Sequence, residues 1–223
     1  MGGENEKTFL DSTEFIQLNE TVGMPGPKLP YAIKNMCAVK VSEDEIFVIG
    51  GETGFNTNPT DFVWIFNPQD EFTYTEGPKL PYAKWNPQCE LMKDETHSYI
   101  VVAGGKGSPG ADESVEILNL TSSEWITGMQ KCRIIHGSLS FSVFKLDFHA
   151  LFTGPQLPFK LMNSAMISSP DNKGVILMGG GNFGGNYRDD ILELRVGANS
   201  WNIIGKLKTP RSAHVAIPIP KWP

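Results

Sequence analysis

Short apolar runs that end at paired glycines recur along this chain. Residues 46–49 lead into Gly50 and Gly51, and the stretches "YIVVAGG" and "GVILMGG" repeat the pattern further on. Runs this short, rich in β-branched residues and bounded by Gly, Pro and Asn, indicate β-strands. No segment sustains a helical period over three turns, so the pattern predicts an all-β fold.

The stretch around the second glycine pair predicts four strands in succession. Residues 35–41 and 46–49 flank the polar turn "SEDE", and a loop of about nine residues follows the glycines. Residues 62–66 and 72–76 then flank the turn "NPQDE". A repeat of about 50 residues with four strands is typical of one blade of a β-propeller.

Three markers in a fixed order show that this unit is an internal repeat. The glycine pairs start 48, 54 and 75 residues apart. The segment "GPKLPYA" recurs unchanged 51 residues later and returns as "GPQLPFK" after a further 77. An aspartate (Asp11, Asp61, Asp112 or Asp189) opens the strand that follows each pair. We predict one domain over residues 1–223, with units at 1–32, 33–83, 84–160 and 161–211 and a final strand at 212–223.

The paired glycines have a predicted structural role. A strand that ends in Gly-Gly must bend sharply and pass close to neighbouring backbone, and glycine tolerates both the positive φ and the close approach. The predicted structural glycines are Gly50, Gly51, Gly104, Gly105, Gly179 and Gly180.

The pattern resembles the kelch repeat, in which a strand enters Gly-Gly and a later Val-Glu strand precedes an aromatic residue. "DESVEILNLTSSEW" reaches Trp125 and "DDILELRVGANSW" reaches Trp201, whereas Phe72 takes this place in the second unit and the first unit has no aromatic residue there. The family's usual arginine before the first strand appears once, as Arg211. The resemblance implies a kelch-type β-propeller, commonly six-bladed in that family. Because about four units are present and Met1 adjoins the first glycine pair, we interpret the chain as a fragment of a larger propeller.

Residues 129–154 do not fit the repeat. Removing these 26 residues joins "WITG" to "PQLP" and brings the longer spacings to 51 and 49. Two interpretations stay open: a real insertion that forms an extra hairpin, or an in-frame retained intron. Cys132, His136 and His149 lie in this segment.

Charge and composition restrict the classes of partner and the cellular compartments that we expect for this chain. The net charge of −6 and the pI of about 5.3 provide no basic patch for nucleic acid or an anionic membrane. No apolar stretch reaches the roughly 18 residues of a membrane span. No leader is visible at Met1, so a cytoplasmic location is favoured, and secretion stays open if the N-terminus is truncated.

The cysteines and the glycosylation motifs are interpreted in the same way. Cys37, Cys89 and Cys132 do not form a disulfide framework and are predicted to be reduced core thiols. Asn19 and Asn119 begin Asn-x-Thr sequons, but without a secretory leader we treat these as chance matches.

Loops that follow the glycine pairs are the predicted binding surface, because binding residues concentrate on loops held by a rigid scaffold. Many kelch propellers bind a protein partner through these loops, so the resemblance implies a non-catalytic interaction module. No BTB-like helical segment is visible, so the ubiquitin-ligase adaptor role is not carried over. The candidate partner-binding residues are Phe55, Asn56, Asn58, Lys106, Phe183, Tyr187 and Arg188.

No catalytic residue, metal ligand, cofactor or small-molecule ligand is predicted, since the sequence shows no nucleophile elbow, P-loop or HExxH motif. The alternative hypothesis is a propeller enzyme acting on a sugar in the central pocket, similar to sialic-acid mutarotases or to copper oxidases. Arg188 and Arg211 are available for the former; the latter would need Tyr and His ligands in a cluster that His97 and His214 do not form.

Overall fold

In a computed structural model the protein is all-β. The structure describes residues 1–6, 8–16, 22–54, 58–70, 72–107, 110–111, 113–127, 154–182 and 184–219. These ranges contain strands, turns and extended segments and no helix, which confirms the predicted all-β class.

The described strands follow one another as short antiparallel elements. In chain order they are β1 (Glu14–Phe15), β2 (Met24–Pro25), β3 (Cys37–Lys40), β4 (Ile46–Ile49), β5 (Glu52–Thr53), β6 (Asn58–Pro59), β7 (Val63–Asn67), β8 (Thr73–Glu76), β9 (Gln88–Lys93), β10 (Ser98–Ala103), β11 (Lys106–Gly107), β12 (Gly110–Ala111), β13 (Val115–Asn119), β14 (Glu124–Thr127), β15 (Ala165–Ser168), β16 (Gly174–Met178), β17 (Asp190–Arg195) and β18 (Asn202–Lys206).

Three four-stranded antiparallel sheets dominate the fold. Sheet A has the order β3-β4-β7-β8, sheet B the order β9-β10-β13-β14 and sheet C the order β15-β16-β17-β18. In each sheet the second strand runs into a glycine pair, and the third strand returns beside it. The four strands predicted around the second glycine pair are those of sheet A, within one to two residues at their ends. The loop after that pair also forms a small hairpin, β5–β6, which the sequence pattern did not reveal.

Sheet B is buried on both faces because it lies between the other two. Ile100 and Val102 of β10 belong to the core shared with sheet A, whereas Val101 and Ala103 belong to the core shared with sheet C. All four side chains have no exposed surface. A strand covered on both faces needs a continuous apolar run, and "YIVVA" provides one.

Tryptophans in the outer strands tie successive units together. The indole N–H of Trp125 donates to the carbonyl of Pro78, 2.7 Å away, and that of Trp201 donates to the carbonyl of Pro155 at 2.9 Å. Each bond reaches from the last strand of one sheet, or the segment leading into it, to the "GP" segment after the sheet before it. Trp125 and Trp201 are the two tryptophans at the aromatic position of the repeat, where the second unit has Phe72.

Both ends of the described chain differ from a complete unit. In the described part of the first unit, β1 and β2 form a two-stranded sheet and Glu4 pairs with Phe9 in an isolated bridge. The final strand predicted at 212–223 is not formed over residues 212–219, which pair with no described strand and leave Val215, Ile217 and Ile219 exposed. An extended segment becomes a strand only when a neighbour accepts its hydrogen bonds. Of the 129–154 segment, only Gly154 lies among the described residues.

The prediction of reduced cysteines is wrong for two of the three. Cys37 of β3 and Cys89 of β9 form a disulfide, with their Cα atoms 5.9 Å apart and a sequence separation of 52. The bridge arises because the first strands of sheets A and B lie side by side. The separation of 52 is close to the 51-residue repeat and places both cysteines on the first strand of consecutive units, a signal that the prediction of reduced thiols did not use. Cys132 lies outside the described residues.

Candidate functional site: the glycine end

Four glycine pairs share one backbone geometry at one end of the repeat units, which we call the glycine end. The first glycine has φ between 58° and 67° and the second between 91° and 110°. The amide of each second glycine donates to a carbonyl in the segment that leads to the next unit, over 2.7–2.9 Å: Gly3 to Ile33, Gly51 to Lys84, Gly105 to Leu161 and Gly180 to Arg211.

Side chains are excluded from these positions by neighbouring backbone. A Cβ on Gly50 would lie 2.7 Å from the carbonyl oxygen of Lys84, and one on Gly51 would lie 2.8 Å from that of Lys34. Together with the positive φ, this crowding restricts both positions to glycine. The glycine end is therefore a rigid platform from which the loops start.

Pairs of a cation and an aromatic ring recur at this end. The Lys34 ammonium lies 4.6 Å from the centre of the Phe9 ring, and the Arg188 guanidinium lies 3.4 Å from that of Phe159. Lys106, a predicted partner-binding residue on β11, stands 5.3 Å over Trp85. Such contacts stabilise by about 0.5–1 kcal/mol at exposed sites.

The other predicted partner-binding residues are placed as follows. Tyr187 has 60% of its surface exposed and pairs through its backbone with Gly181. Arg188 is held in place by Asp190, which accepts a hydrogen bond from Nε at 2.6 Å and forms an ion pair with Nη2 at 2.6 Å. Asn58 is exposed on β6. Phe55, Asn56 and Phe183 lie outside the described residues.

Sequence reasoning missed an aromatic cluster at the glycine end, formed by Tyr31, Phe62 and Trp64. The rings of Tyr31 and Phe62 are stacked with centroids 5.0 Å apart, and Trp64 lies 6.1 Å from each. Tyr31 is 51% exposed although it takes part in both contacts. The local signal was the unusual "FVW" of the second unit, where the third unit has "SVE".

A network of charged groups lies beside the first two glycine pairs. The Lys34 ammonium donates to Glu4 at 2.7 Å and lies 3.5 Å from the Glu52 carboxylate. The hydrogen bond to Glu4, opposed by burial and assisted by the Glu52 charge, raises the pKa of Lys34. Glu52 is buried and also accepts a hydrogen bond from Asn35 at 2.7 Å, while its Oε2 has no hydrogen-bond partner among the described residues. These residues fix the backbone where the loop of the second unit begins.

A second ion pair is fully buried between sheets A and B. The Lys84 ammonium donates to Glu116 at 2.6 Å and to the Ser114 hydroxyl at 2.9 Å, and Ser114 donates to the other oxygen of Glu116 at 2.6 Å. Lys84 has no exposed surface and Glu116 only 1%. A paired and hydrogen-bonded charge of this kind orders the fold, because a change at either side chain leaves the other buried without its partner.

His97 and His214, the two histidines outside residues 129–154, both lie within the described ranges. His97 lies in a turn, with Nδ1 2.6 Å from the Thr96 hydroxyl. His214 packs over Gly179, and neither of its ring nitrogens has a hydrogen-bond partner among the described residues. Burial, followed by the charge of Arg211, lowers the pKa of His214. Across the described ranges no three His, Cys, Asp or Glu side chains are grouped as metal ligands would be.

No family model matches the chain, and no curated protein matches it either. No helix able to cross a bilayer occurs in the part of the chain that the structure describes.

Proposed function

We propose that this chain is a segment of a kelch-type β-propeller that binds a protein partner through the glycine end and catalyses no reaction. Three observations support the fold part of the proposal. The four-stranded sheets repeat, they pack face to face in series, and every unit uses the same glycine-to-carbonyl hydrogen bond to reach the next. Radial repetition of such sheets is how propellers are built.

The observation that carries the binding part is the aromatic cluster of Tyr31, Phe62 and Trp64. Aromatic residues are enriched at the energetic centres of protein interfaces, because a rigid ring buries a large area with little loss of conformational entropy. Rings in a protein interior are buried by their neighbours, whereas about half of the Tyr31 surface is exposed to solvent. The cluster therefore offers a partly exposed apolar surface to a partner.

Tyr187 is a further exposed aromatic residue at the glycine end, in the unit of sheet C, and Arg188 supports it. Because Arg188 is engaged by Asp190 and stacked on Phe159, its role in the proposal is to hold the loop that presents Tyr187. Because these contacts already hold Arg188, its side chain loses little conformational entropy when a partner binds.

Site-specific cross-linking tests this proposal. A photoreactive amino acid is placed at Tyr31, and in a separate sample at Thr121, an exposed residue at the opposite end of sheet B. We expect a discrete protein adduct from position 31 and none from position 121. The adduct partner is identified by mass spectrometry, purified and used for titration.

Alanine variants then measure the contribution of the surface. Tyr31→Ala and Trp64→Ala should each weaken binding at least about thirtyfold, since truncating a hot-spot ring costs about 2 kcal/mol or more. Tyr82→Ala is the matched control: Tyr82 occupies the equivalent "PYA" position and is 57% exposed, without a ring contact among the described residues. Unchanged affinity in folded Tyr31→Ala and Trp64→Ala variants would remove the proposed surface.

A further inference from the structure

The side chain of Asn119 closes the turn after β13. The hydrogen bonds of this turn explain why residue 119 is an asparagine, but they do not explain why residue 121 is a threonine. Its Oδ1 accepts the backbone N–H of Thr121 at 2.8 Å and that of Ser122 at 3.3 Å. Asn67 makes the same turn in sheet A, with Gln69 and Asp70 as donors.

The two turns differ in what surrounds the shared asparagine. In sheet A the next residue is Pro68, which excludes a glycosylation sequon, whereas Asn119, Leu120 and Thr121 form one. The turn uses only the backbone of Thr121, and the Thr121 hydroxyl makes no hydrogen bond within the described part of the chain. The Nδ2 atom of Asn119, to which a glycan would be attached, likewise donates to no described residue.

The sequon lies at the end of sheet B that is remote from the glycine pairs. The amide of Leu120 donates to the carbonyl of Ser98, where β10 begins, and β10 ends at Ala103 immediately before Gly104. Thr121 is exposed at the turn between β13 and β14, the outer hairpin of the sheet. A bulky group at Asn119 would thus extend into solvent without covering the aromatic cluster.

The disulfide indicates independently which compartment the chain folds in. Cys37 and Cys89 join two repeat units, and such structural bridges form and persist in oxidising compartments. Sequon glycosylation occurs in proteins that pass through the same compartments. The bridge between sheets A and B and the sequon of sheet B, with Asn119 partly exposed and Thr121 exposed, therefore point to the same cellular environment.

We propose that this chain folds in the secretory pathway and that Asn119 carries an N-linked glycan there. The donor is an oligosaccharide linked through its anomeric carbon to a lipid pyrophosphate. Nδ2 of Asn119 forms the new bond to that carbon and loses one proton, and the bond from the carbon to the pyrophosphate oxygen breaks. The lipid pyrophosphate leaves with the bonding electrons, so no oxidant or reductant takes part.

Secretion of the full chain from insect cells behind a cleavable leader tests both parts. We expect non-reducing peptide mapping to recover Cys37 joined to Cys89. We also expect peptide-N-glycosidase F to increase the electrophoretic mobility of the protein and to convert Asn119 to aspartate. The Asn67 peptide should be unmodified in the same sample and serves as an internal control.

Point variants distinguish the role of these residues in glycosylation from their role in the turn. Thr121→Ala keeps Asn119 and its backbone hydrogen bonds and should abolish modification at this position, whereas Thr121→Ser should retain it. Asn19→Gln removes the other sequon, so that any remaining glycan belongs to Asn119. Folded, secreted protein with an unmodified Asn119 would overturn the glycan assignment, and free thiols at Cys37 and Cys89 in that protein would overturn the compartment.

Discussion

The backbone amide of Gly51 donates a hydrogen bond to the carbonyl of Lys84, 2.8 Å away, and so joins the end of one repeat unit to the beginning of the next. The same bond recurs from Gly3, Gly105 and Gly180. Each unit is thereby fixed to its successor by backbone atoms, and the side chains on either side are free to vary.

Gly51→Ala tests how far this junction depends on glycine. The residue has a φ of +101°, and a Cβ there would meet the Lys34 carbonyl at 2.8 Å. We expect a loss of about 3 kcal/mol or more in the free energy of unfolding, because a strained backbone and a contact with fixed backbone add together. Urea denaturation followed by tryptophan fluorescence measures the change. Gly54→Ala, at φ +73° with open space around its Cβ, should lose only about 1–2 kcal/mol.

The buried pair of Lys84 and Glu116 predicts a large loss that a second change restores. Lys84→Met leaves the Glu116 carboxylate buried without its ammonium partner and should cost about 3–5 kcal/mol of unfolding free energy. Adding Glu116→Leu should recover most of that loss, because the double variant no longer buries an unpaired charge. Chemical denaturation of both single variants and the double variant completes the cycle. A double variant no more stable than Lys84→Met would show that the destabilisation is one of packing.

The disulfide predicts a stability that depends on reductant. Replacing Cys37 and Cys89 together by alanine should remove about 2–4 kcal/mol, because the bridge closes a loop across a separation of 52 residues in the unfolded chain. Dithiothreitol should lower the melting temperature of the wild type to that of the double variant and leave the variant itself unchanged. Equal melting curves for the wild type with and without dithiothreitol would contradict the bridge.

Asp94 predicts an acid-dependent contribution to stability. Backbone hydrogen bonds from Thr96 and then His97 outweigh the opposing effect of burial and lower the pKa of Asp94 from 3.8 to about 2. Because the folded state holds the charged form more strongly, the contribution is fully present above pH 3.8 and is lost as the pH falls towards 2. Asp94→Asn should therefore be less stable than the wild type by about 0.5–1 kcal/mol at neutral pH, after allowance for solvent screening.

Denaturation of the Asp94→Asn variant between pH 2 and pH 7 measures this difference. The gap to the wild type should be constant in the upper part of the range and close as the acid limit is approached. Asp44→Asn is the control, because the Asp44 carboxylate accepts no hydrogen bond from the described residues and lies in an exposed turn. If the difference in stability between the wild type and Asp94→Asn stayed the same at pH 2, the destabilisation would come from the introduced amide and not from loss of the carboxylate charge.

The local pattern of apolar and turn-forming residues predicted the strands well, but it predicted the loop structure and the contacts of surface side chains less well. Residues 46–49 were predicted as a strand with the bounds that β4 has, because apolar residues bounded by turn residues carry their own signal. The loop after Gly51 was treated as irregular, whereas Glu52 and Thr53 pair with the strand Asn58–Pro59. Two-residue strands leave no periodicity to detect. Arg188 was selected for its residue type, and only its contacts with Asp190 and Phe159 show that it is held in place.

The sequence by itself determined the all-β class, the repeat of about 50 residues and the glycine pairs, because each depends on residues close together in the chain. Tertiary structure decided which distant residues meet. It joined Cys37 to Cys89, buried Lys84 against Glu116 and stacked Tyr31 on Phe62. Those contacts depend on how the repeat units pack against one another, which the residues next to each partner in the sequence do not specify.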